Sequence, residues 1–535
     1  MKVALAQINP VVGAVEDNAQ KIIKIIKQYS SLSDLIIFPE MCLTGYPPKD
    51  LLFNESFLNL VDKYVDSIAK IVTHTPIIFG TVRKDNKKIY NTAVVMQNKK
   101  ILSFHDKTHL PTYDVFDEKR YFSPSKSRTP VKIKINKDIV TLGIHVCEDL
   151  WDEAYDMDIC KELVSQGTEI LVNISASPFY IDKASQRIDI ASAKARELKC
   201  YFIYCNLIGG QDELVFDGQS FAIDANGKLI DMLPDFEEHV KVLNTQDSTS
   251  VFFNKHSEEE QIFKAISLGV SDYFKKSGYK KAVIGLSGGI DSALTGFIAA
   301  HALGAKNIIG VSMPSDFSSA HSIDDAKQLA KNLNINFEII PINAIYNKML
   351  KELSPFFKGT EPGLAEENMQ ARIRANLLMA IANKNNALLL NTGNKTETAL
   401  GYCTIYGDMA GALAVISDLT KTQVYSISNW INNNLKNSII PQNSISKLPS
   451  AELRPNQVDP FDYEIVSPIV ERIVSDPSEI NNLIEEGNPS ELVLDLCNKI
   501  HSSEYKRVQS APGIKISQKA FGSGRRYPIV NHYNI

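Results

Sequence analysis

Lys281-Ala-Val-Ile-Gly-Leu-Ser-Gly-Gly-Ile-Asp-Ser292 decides the fold of the second half of this chain. The apolar run 282–286 reads as a short buried strand, Ser287, Gly288 and Gly289 as a turn, and 291–303 as an apolar-periodic helix. The two glycines let backbone N–H groups turn into one concavity, and the helix N-terminus adds partial positive charge. Such a concavity binds phosphate. The Ser287 and Ser292 hydroxyls add donors. Asp291 would repel phosphate unless it holds a cation, which suggests magnesium between carboxylate and pyrophosphate. No lysine follows the glycines, so the stretch is not a Walker A loop, and it holds no GxGxxG.

Outward from this stretch, strands and helices alternate. Ser257-Glu-Glu-Glu260 reads as a capping box opening a helix that ends at Gly278. Segments 307–313, 337–342 and 387–391 read as strands, and 322–333 and 368–383 as helices. Apolar strands alternating with helices indicate a doubly wound parallel sheet, with the phosphate turn at a strand's carboxyl end, where such sheets bind ligands.

The whole chain sets bounds on the reading. At 535 residues it exceeds one compact core. With 44% hydrophobic and 22% charged residues it has the composition of a soluble globular protein. The net charge of −5 gives no bulk attraction for nucleic acid. No apolar run approaches the roughly 18 residues of a membrane span, and the first residues lack a signal-peptide layout. Seven scattered cysteines form no CxxC pair, which fits reduced thiols in a cytoplasm.

Residues 1–245 read as a strand-rich layered domain with interleaved helices, and the polar segment 244–250 as a connector. Glu40 and Cys147 are expected at strand ends, and Lys107 just after a strand. A thiol beside a helix N-terminus and a lysine would have a lowered pKa and be nucleophilic. Glu40 would then serve as general base and Lys107 as oxyanion stabiliser. On spacing alone a buried hydrophobic Cys, a solvated Lys and a surface Glu remain open.

Local motifs extend this. Phe-Pro-Glu40, the segment from Lys107 to Phe122, Cys147-Glu-Asp-Leu-Trp and Asn173-Ile-Ser-Ala-Ser-Pro-Phe179 resemble the nitrilase (carbon–nitrogen hydrolase) family in its glutaminase form. The resemblance implies a four-layer α-β-β-α sandwich and assigns Glu40 as base, Lys107 as oxyanion stabiliser and Cys147 as nucleophile. It also implies that Tyr113, Glu118, Ser177 and Lys183 hold or adjoin L-glutamine. SGGxDS closing a strand resembles the N-type ATP pyrophosphatases. Asn391-Thr-Gly-Asn-Lys-Thr-Glu397, Gly401-Tyr-Cys-Thr-Ile-Tyr-Gly-Asp-Met-Ala-Gly411 and Leu448-Pro-Ser-Ala-Glu-Leu-Arg-Pro-Asn-Gln457, in this order, resemble the NAD synthetases within them.

That resemblance implies ATP contacts at Gly285, Leu286, Ser287, Gly288, Gly289, Ile290, Asp291, Ser292, Met313, Thr392 and Lys421. It places Mg²⁺ on Asp291 and Glu397, and deamido-NAD near Asn368, Arg372, Glu397 and Lys506. Together the halves are expected to be a glutaminase domain (1–245), a linker (246–260) and a synthetase domain (261–535). The expected reaction is amidation of deamido-NAD with ATP and glutamine, in a cytoplasmic homo-oligomer without nucleic-acid or membrane partners. Another amidotransferase of the same loop class, or a non-catalytic nucleotide-binding scaffold, stays open at this point.

Overall fold

The computed structural model describes residues 1–246, 251–434 and 438–533, and the chain folds as two compact units, Met1–His256 and Ser257–Ile535. Residues 247–250 of the expected linker lie outside the described residues.

The first unit holds two six-stranded sheets. One runs in the order His239–Asn244, Lys2–Gln7, Leu35–Ile37, Ile77–Asp85, Lys88–Gln97, Lys100–Asp106. The other runs Leu229–Met232, Phe221–Ile223, Tyr201–Asn206, Ile170–Ser175, Asp138–Val146, Val131–Ile135. Side-chain alternation builds the layers. Val3 and Leu5 face the partner sheet and meet Ile144, Val172 and Ile203, whereas Ala4 and Ala6 face the helices Val15–Tyr29 and Glu55–Ile71. Leu171 and Phe202 face the helices Ile159–Ser165 and Lys183–Leu198. The result is the four-layer α-β-β-α sandwich that the resemblance implied. Ile170–Ser175 is buried at every position, because a central strand covered on both faces has no polar side to show. Lys88–Gln97 and Lys100–Asp106 form a hairpin that turns on Asn98 and Lys99, both at positive φ.

The second unit is built on one parallel five-stranded sheet in the order Asn336–Ile339, Ile308–Ser312, Lys281–Gly285, Ala387–Asn391, Leu413–Ala414. Numbered along the chain this is 3-2-1-4-5. The order reverses between Lys281–Gly285 and Ala387–Asn391, so the crevice of the sheet opens at their carboxyl ends. Asn343–Phe357 and Leu364–Asn385 pack on Val283, Val311 and Leu389. Ser257 Oγ accepts from Glu260 N and caps Glu258–Ser277, which ends at Gly278 with φ 82°. Toward the end of the chain come three helices, Tyr463–Ser475, Glu479–Glu485 and Ser490–Ser502. These helices bury a cluster around Val470 and Leu496 against Ala399 and Leu400 of the short helix Lys395–Leu400.

One close approach fixes a turn that the first unit depends on. A Cβ on Gly80 would lie 2.3 Å from Met41 N and 2.4 Å from Glu40 Cα, and Gly80 N donates to Pro39 O. Only a residue without a side chain lets the segment after Leu35–Ile37 pass this close. Gly80→Ala is expected to destabilise the Met1–His256 unit by about 1–3 kcal/mol, the scale of forced overpacking. Denaturant unfolding followed with a probe in that unit, set against the wild type, checks this.

Candidate functional site

In the first unit, three charged side chains close on one another. Lys107, one residue past Lys100–Asp106, donates from Nζ to Glu40 Oε1 and to Glu118 Oε1, each at 2.9 Å. Glu40 lies in the turn three residues beyond Leu35–Ile37 rather than at the strand end itself. Its Oε1 also accepts from Asn91 Nδ2 at 2.6 Å and its Oε2 from Ala176 N at 2.6 Å. Tyr46 donates to Glu118 Oε1. Burial works against the Lys107 charge, but Glu118 and Glu40 together outweigh it and push its pKa well up. Glu118 is pushed up by burial, with Lys107 opposing.

Cys147 follows Asp138–Val146 at φ 44° and opens a 3-10 turn, Cys147–Leu150. The expectation of a lowered thiol pKa is corrected here. Burial first, then the charges of Glu40, Glu148 and Glu118, raise it well above the usual value, and Lys107 only partly offsets them. Four residues of 3-10 turn supply no long helix dipole. Asp149 fixes this turn to the lysine segment, because it accepts from Val146 N, Thr108 N and His109 N at 2.7–3.1 Å.

Tyr113 and Lys183 lie near enough to Cys147 for its charge to act on both, Ser177 is buried with its N–H on Asn206, and Glu118 sits with Lys107 instead. Tyr113 and Tyr155 both donate to the buried carboxylate of Glu148, at 3.0–3.1 Å. Glu148 was not singled out from the sequence. The two tyrosines come from separate loops, and only an acid next to the thiol could have flagged it. Lys183, the first residue of Lys183–Leu198, places its ammonium 3.4 Å from the centroid of the Trp151 ring and donates to Tyr180 Oη. Burial, and second the neighbouring Arg187 charge, push Lys183 down to about 7.

In the second unit, the Ser-Gly-Gly turn lies at the reversal point of the sheet. Gly288 has φ 82°, and a Cβ there would lie 2.2 Å from Ser322 O. Ser292 Oγ donates to Gly289 O and accepts from Ser287 N, and Ser287 Oγ accepts from Gly289 N. The serine hydroxyls, expected as ligand donors, are thus engaged in closing the turn, because its own amides need acceptors. Gly285 packs against Met313, and the Met313 carbonyl accepts from Arg374 Nε at 3.0 Å. Burial depresses Arg374 to about 10, with Glu452 and Asp408 opposing. Arg374 is a second residue that the sequence reading missed. It stands two places beyond Arg372 on a helix read for only one of them.

Asp291 opens Ile290–Leu303, and Glu397 lies in Lys395–Leu400. Lys421 Nζ donates to Asp291 Oδ2 at 2.5 Å and to Glu397 Oε1 at 3.2 Å, and Asn394 Nδ2 donates to Asp291 Oδ1 at 2.9 Å. The ammonium assigned to ATP is therefore held between the two carboxylates assigned to Mg²⁺. Among the described residues there is no group of three or more metal-ligating side chains. Two partly exposed carboxylates beside a phosphate-type turn do suit Mg²⁺, which takes one or two carboxylates and fills its shell from substrate phosphate and water. Thr392 follows Ala387–Asn391 at the adjacent strand end. Asn368, Arg372 and Lys506 converge elsewhere on one loop. Thr404 Oγ1 donates to Asn368 Oδ1, Arg372 Nε donates to Ile405 O, and Lys506 Nζ donates to Gly401 O and Cys403 O.

The carbon–nitrogen hydrolase family model matches residues 2–249, and the NAD synthase family model matches residues 262–510. The fold and the two sites define a glutamine amidotransferase in which a nitrilase-type hydrolase is fused to a synthase of the ATP-pyrophosphatase class. The chain is 43% identical to the glutamine-dependent NAD(+) synthetase of Synechocystis sp. over 99% of both chains, and 39% identical to that of Thermotoga maritima over 100% of this chain and 99% of the other. The structure of the Acinetobacter baumannii glutamine-dependent NAD(+) synthetase, solved with ADP, aligns at a TM-score of 0.80 and 34% identity over 99% of this chain and 98% of that one. This chain belongs to the glutamine-dependent NAD(+) synthetase family.

Competitive acetylation of the intact protein tests the electrostatics of Lys183. A base whose pKa is lowered in the folded state becomes the reactive free amine above that pKa. The reactivity of Lys183 is expected to rise through about pH 7, whereas surface lysines rise near the usual value of about 10.4.

Proposed function

We propose that residues 1–245 hydrolyse L-glutamine at Glu40, Lys107 and Cys147, and that residues 261–535 use the ammonia and ATP to convert deamido-NAD to NAD, with 246–260 as linker. The observation that supports it most is one chain carrying both charged clusters, each on the motifs that resemble the matching family half.

Glu40 takes the proton of the neutral Cys147 thiol as sulfur attacks the side-chain amide carbonyl of glutamine. The tetrahedral oxyanion forms beside the Lys107 ammonium, which it draws on for charge stabilisation. Glu40 returns the proton to the leaving nitrogen, ammonia departs and a thioester remains. Glu40 then draws a proton from water, and the attack of that water releases glutamate and the thiol. Lys183 and Ser177 suit the α-carboxylate of glutamine, and Glu148, held by two tyrosine hydroxyls, suits its α-ammonium.

In the second unit the nicotinate carboxylate of deamido-NAD attacks the α-phosphorus of ATP, and pyrophosphate leaves into the turn at Ser287, Gly288 and Gly289. Ammonia attacks the acyl adenylate, and NAD and AMP result. Among the described residues, the N–H groups of Gly288, Ile290 and Asp291 have no protein acceptor, which fits pyrophosphate oxygens there. Arg374 and Lys506 suit the phosphates of the two nucleotides. Asp291 and Glu397 would hold Mg²⁺, which when bound supplies charge neutralisation to the phosphoryl oxygens. Lys421 keeps those two carboxylates together and offers the same ammonium to the triphosphate. All seven cysteines are free of disulfides, which fits a reducing cytoplasm. A homo-oligomer through the synthetase domain rests on the resemblance.

Cys147→Ala removes the only atom able to form the thioester while changing little volume. It is expected to make no NAD from glutamine and to keep wild-type synthesis from ammonium chloride, ATP and deamido-NAD. Persistent glutamine-dependent synthesis would take Cys147 out of the mechanism, and loss of both activities in a folded variant would overturn the division of labour. Asp291→Asn keeps the shape and removes one charge. Its NAD formation is expected to fall by at least about tenfold and to need more magnesium, with glutamine hydrolysis retained. A normal rate at limiting magnesium counts against that role.

A further inference from the structure

Arg187 is fully buried and lies one helical turn beyond Lys183 on Lys183–Leu198. Its guanidinium is used on every side. Nη1 donates to both carboxylate oxygens of the buried Asp217, at 2.7 and 2.8 Å. Nη2 donates to Ser177 O at 2.9 Å and to Pro178 O at 3.4 Å, and Nε donates to Ser177 Oγ at 3.2 Å. Asn206 completes the hold, because its Oδ1 accepts from Ser177 N at 3.0 Å while its Nδ2 donates to Gly218 O.

The consequence lies in the polarity of one hydroxyl. A serine hydroxyl can donate or accept, and a free one suits either end of an amino acid. Nε is a donor only, so it occupies a lone pair of Ser177 Oγ and forces the hydroxyl hydrogen to point elsewhere. One of the two lone pairs of Ser177 is thereby taken and its O–H is left free to donate, which biases it toward a carboxylate. Lys183, four residues before Arg187 on the same helix, lies close enough to Arg187, Cys147 and Glu148 for their charges to act on it. A buried ion pair alone would need neither the fork to Ser177 nor its reach of two carbonyls.

We propose that Arg187 is a positioning residue that fixes Ser177 as a hydrogen-bond donor and so sets the preference of the hydrolase site for an amide carrying an α-carboxylate. This rests on the reading that Ser177 and Lys183 bind the carboxylate of glutamine.

The test separates the ion pair from the fork. Arg187→Lys keeps a cation for Asp217 but cannot reach Ser177 Oγ and O together. Hydrolysis of L-glutamine is compared with that of 4-aminobutyramide, which is glutamine without its carboxylate. KM for glutamine is expected to rise about tenfold or more with kcat little changed, the scale of losing one charge-supported hydrogen bond. The kcat/KM for 4-aminobutyramide is expected to stay within about threefold of wild type, as hydrolysis there does not use the carboxylate grip. Alkylation of Cys147 by iodoacetamide at the wild-type rate shows that the nucleophile is intact. The double variant Arg187→Gln with Asp217→Asn removes both buried charges at once and is read in the same way, so a fold too weak for the single variant still gives an answer. Equal losses on both amides, or no change on either, overturn the proposal. Ser177→Ala and Lys183→Met on the same two amides test the underlying reading: if they leave the glutamine KM unchanged, that reading fails, whereas a raised KM there with an unaltered Arg187→Lys sinks only the role of Arg187.

Discussion

A lysine ammonium shared between two carboxylates, out of bulk water, is the interaction on which both halves of this chain are built. Lys107 lies between Glu40 and Glu118, and Lys421 between Asp291 and Glu397. Removing such charges from water can cost more than one pair returns, so the arrangement gains from further hydrogen bonds to the remaining oxygens. Glu40 has them from Asn91 and the Ala176 amide, and Asp291 from Asn394. With two acids to one base, and with burial pushing Glu118 and Glu397 up to about 7, each cluster is poised to take up a further positive charge, a proton or a cation.

The clusters differ in how far they are closed. The side chains of Lys107, Glu40 and Glu118 are 1%, 0% and 5% exposed, whereas Asp291 and Glu397 keep 18% and 19%. A dry cluster holds its charges for proton transfer and excludes a hydrated ion. A cluster open on its carboxylate side can exchange its ammonium partner for another cation. The surrounding fold enforces the difference. Gly80 lets the Glu40 turn sink against a neighbouring strand, while Lys395–Leu400 presents Glu397 from the end of a sheet strand, backed by the helices around Val470.

Legibility in the sequence follows locality. The strand, turn and helix of residues 281–303 were readable because twelve contiguous residues carry the apolar run, the glycines and the acid together. The parallel sheet followed from alternation, but its 3-2-1-4-5 order is a matter of long-range pairing that periodicity does not encode. Glu40, Lys107 and Cys147 are 67 and 40 residues apart along the chain, and motif resemblance rather than spacing joined them. Nothing local singled out Glu148, since its two tyrosine partners arrive from different loops. The thiol was misjudged for the same reason. A lysine nearby in sequence argument lowers a pKa, but three carboxylates converge on Cys147 in space and burial adds to them.

That raised thiol pKa shapes the proposed chemistry. At rest the Lys107 ammonium bridges the two acids and the thiol is neutral. When the proton passes from Cys147 to Glu40, the negative charge moves from oxygen to sulfur without changing the total. Lys107 then loses one of its two anionic partners, and a buried ammonium left without any would be strongly disfavoured. Glu118 remains at 2.9 Å on the other side and keeps it charged. Tyr46 donates to that same Glu118 oxygen and supports its anionic form. In the proposed reaction the second acid therefore lets the first one change protonation state while the lysine stays positive, at the moment when an oxyanion needs it.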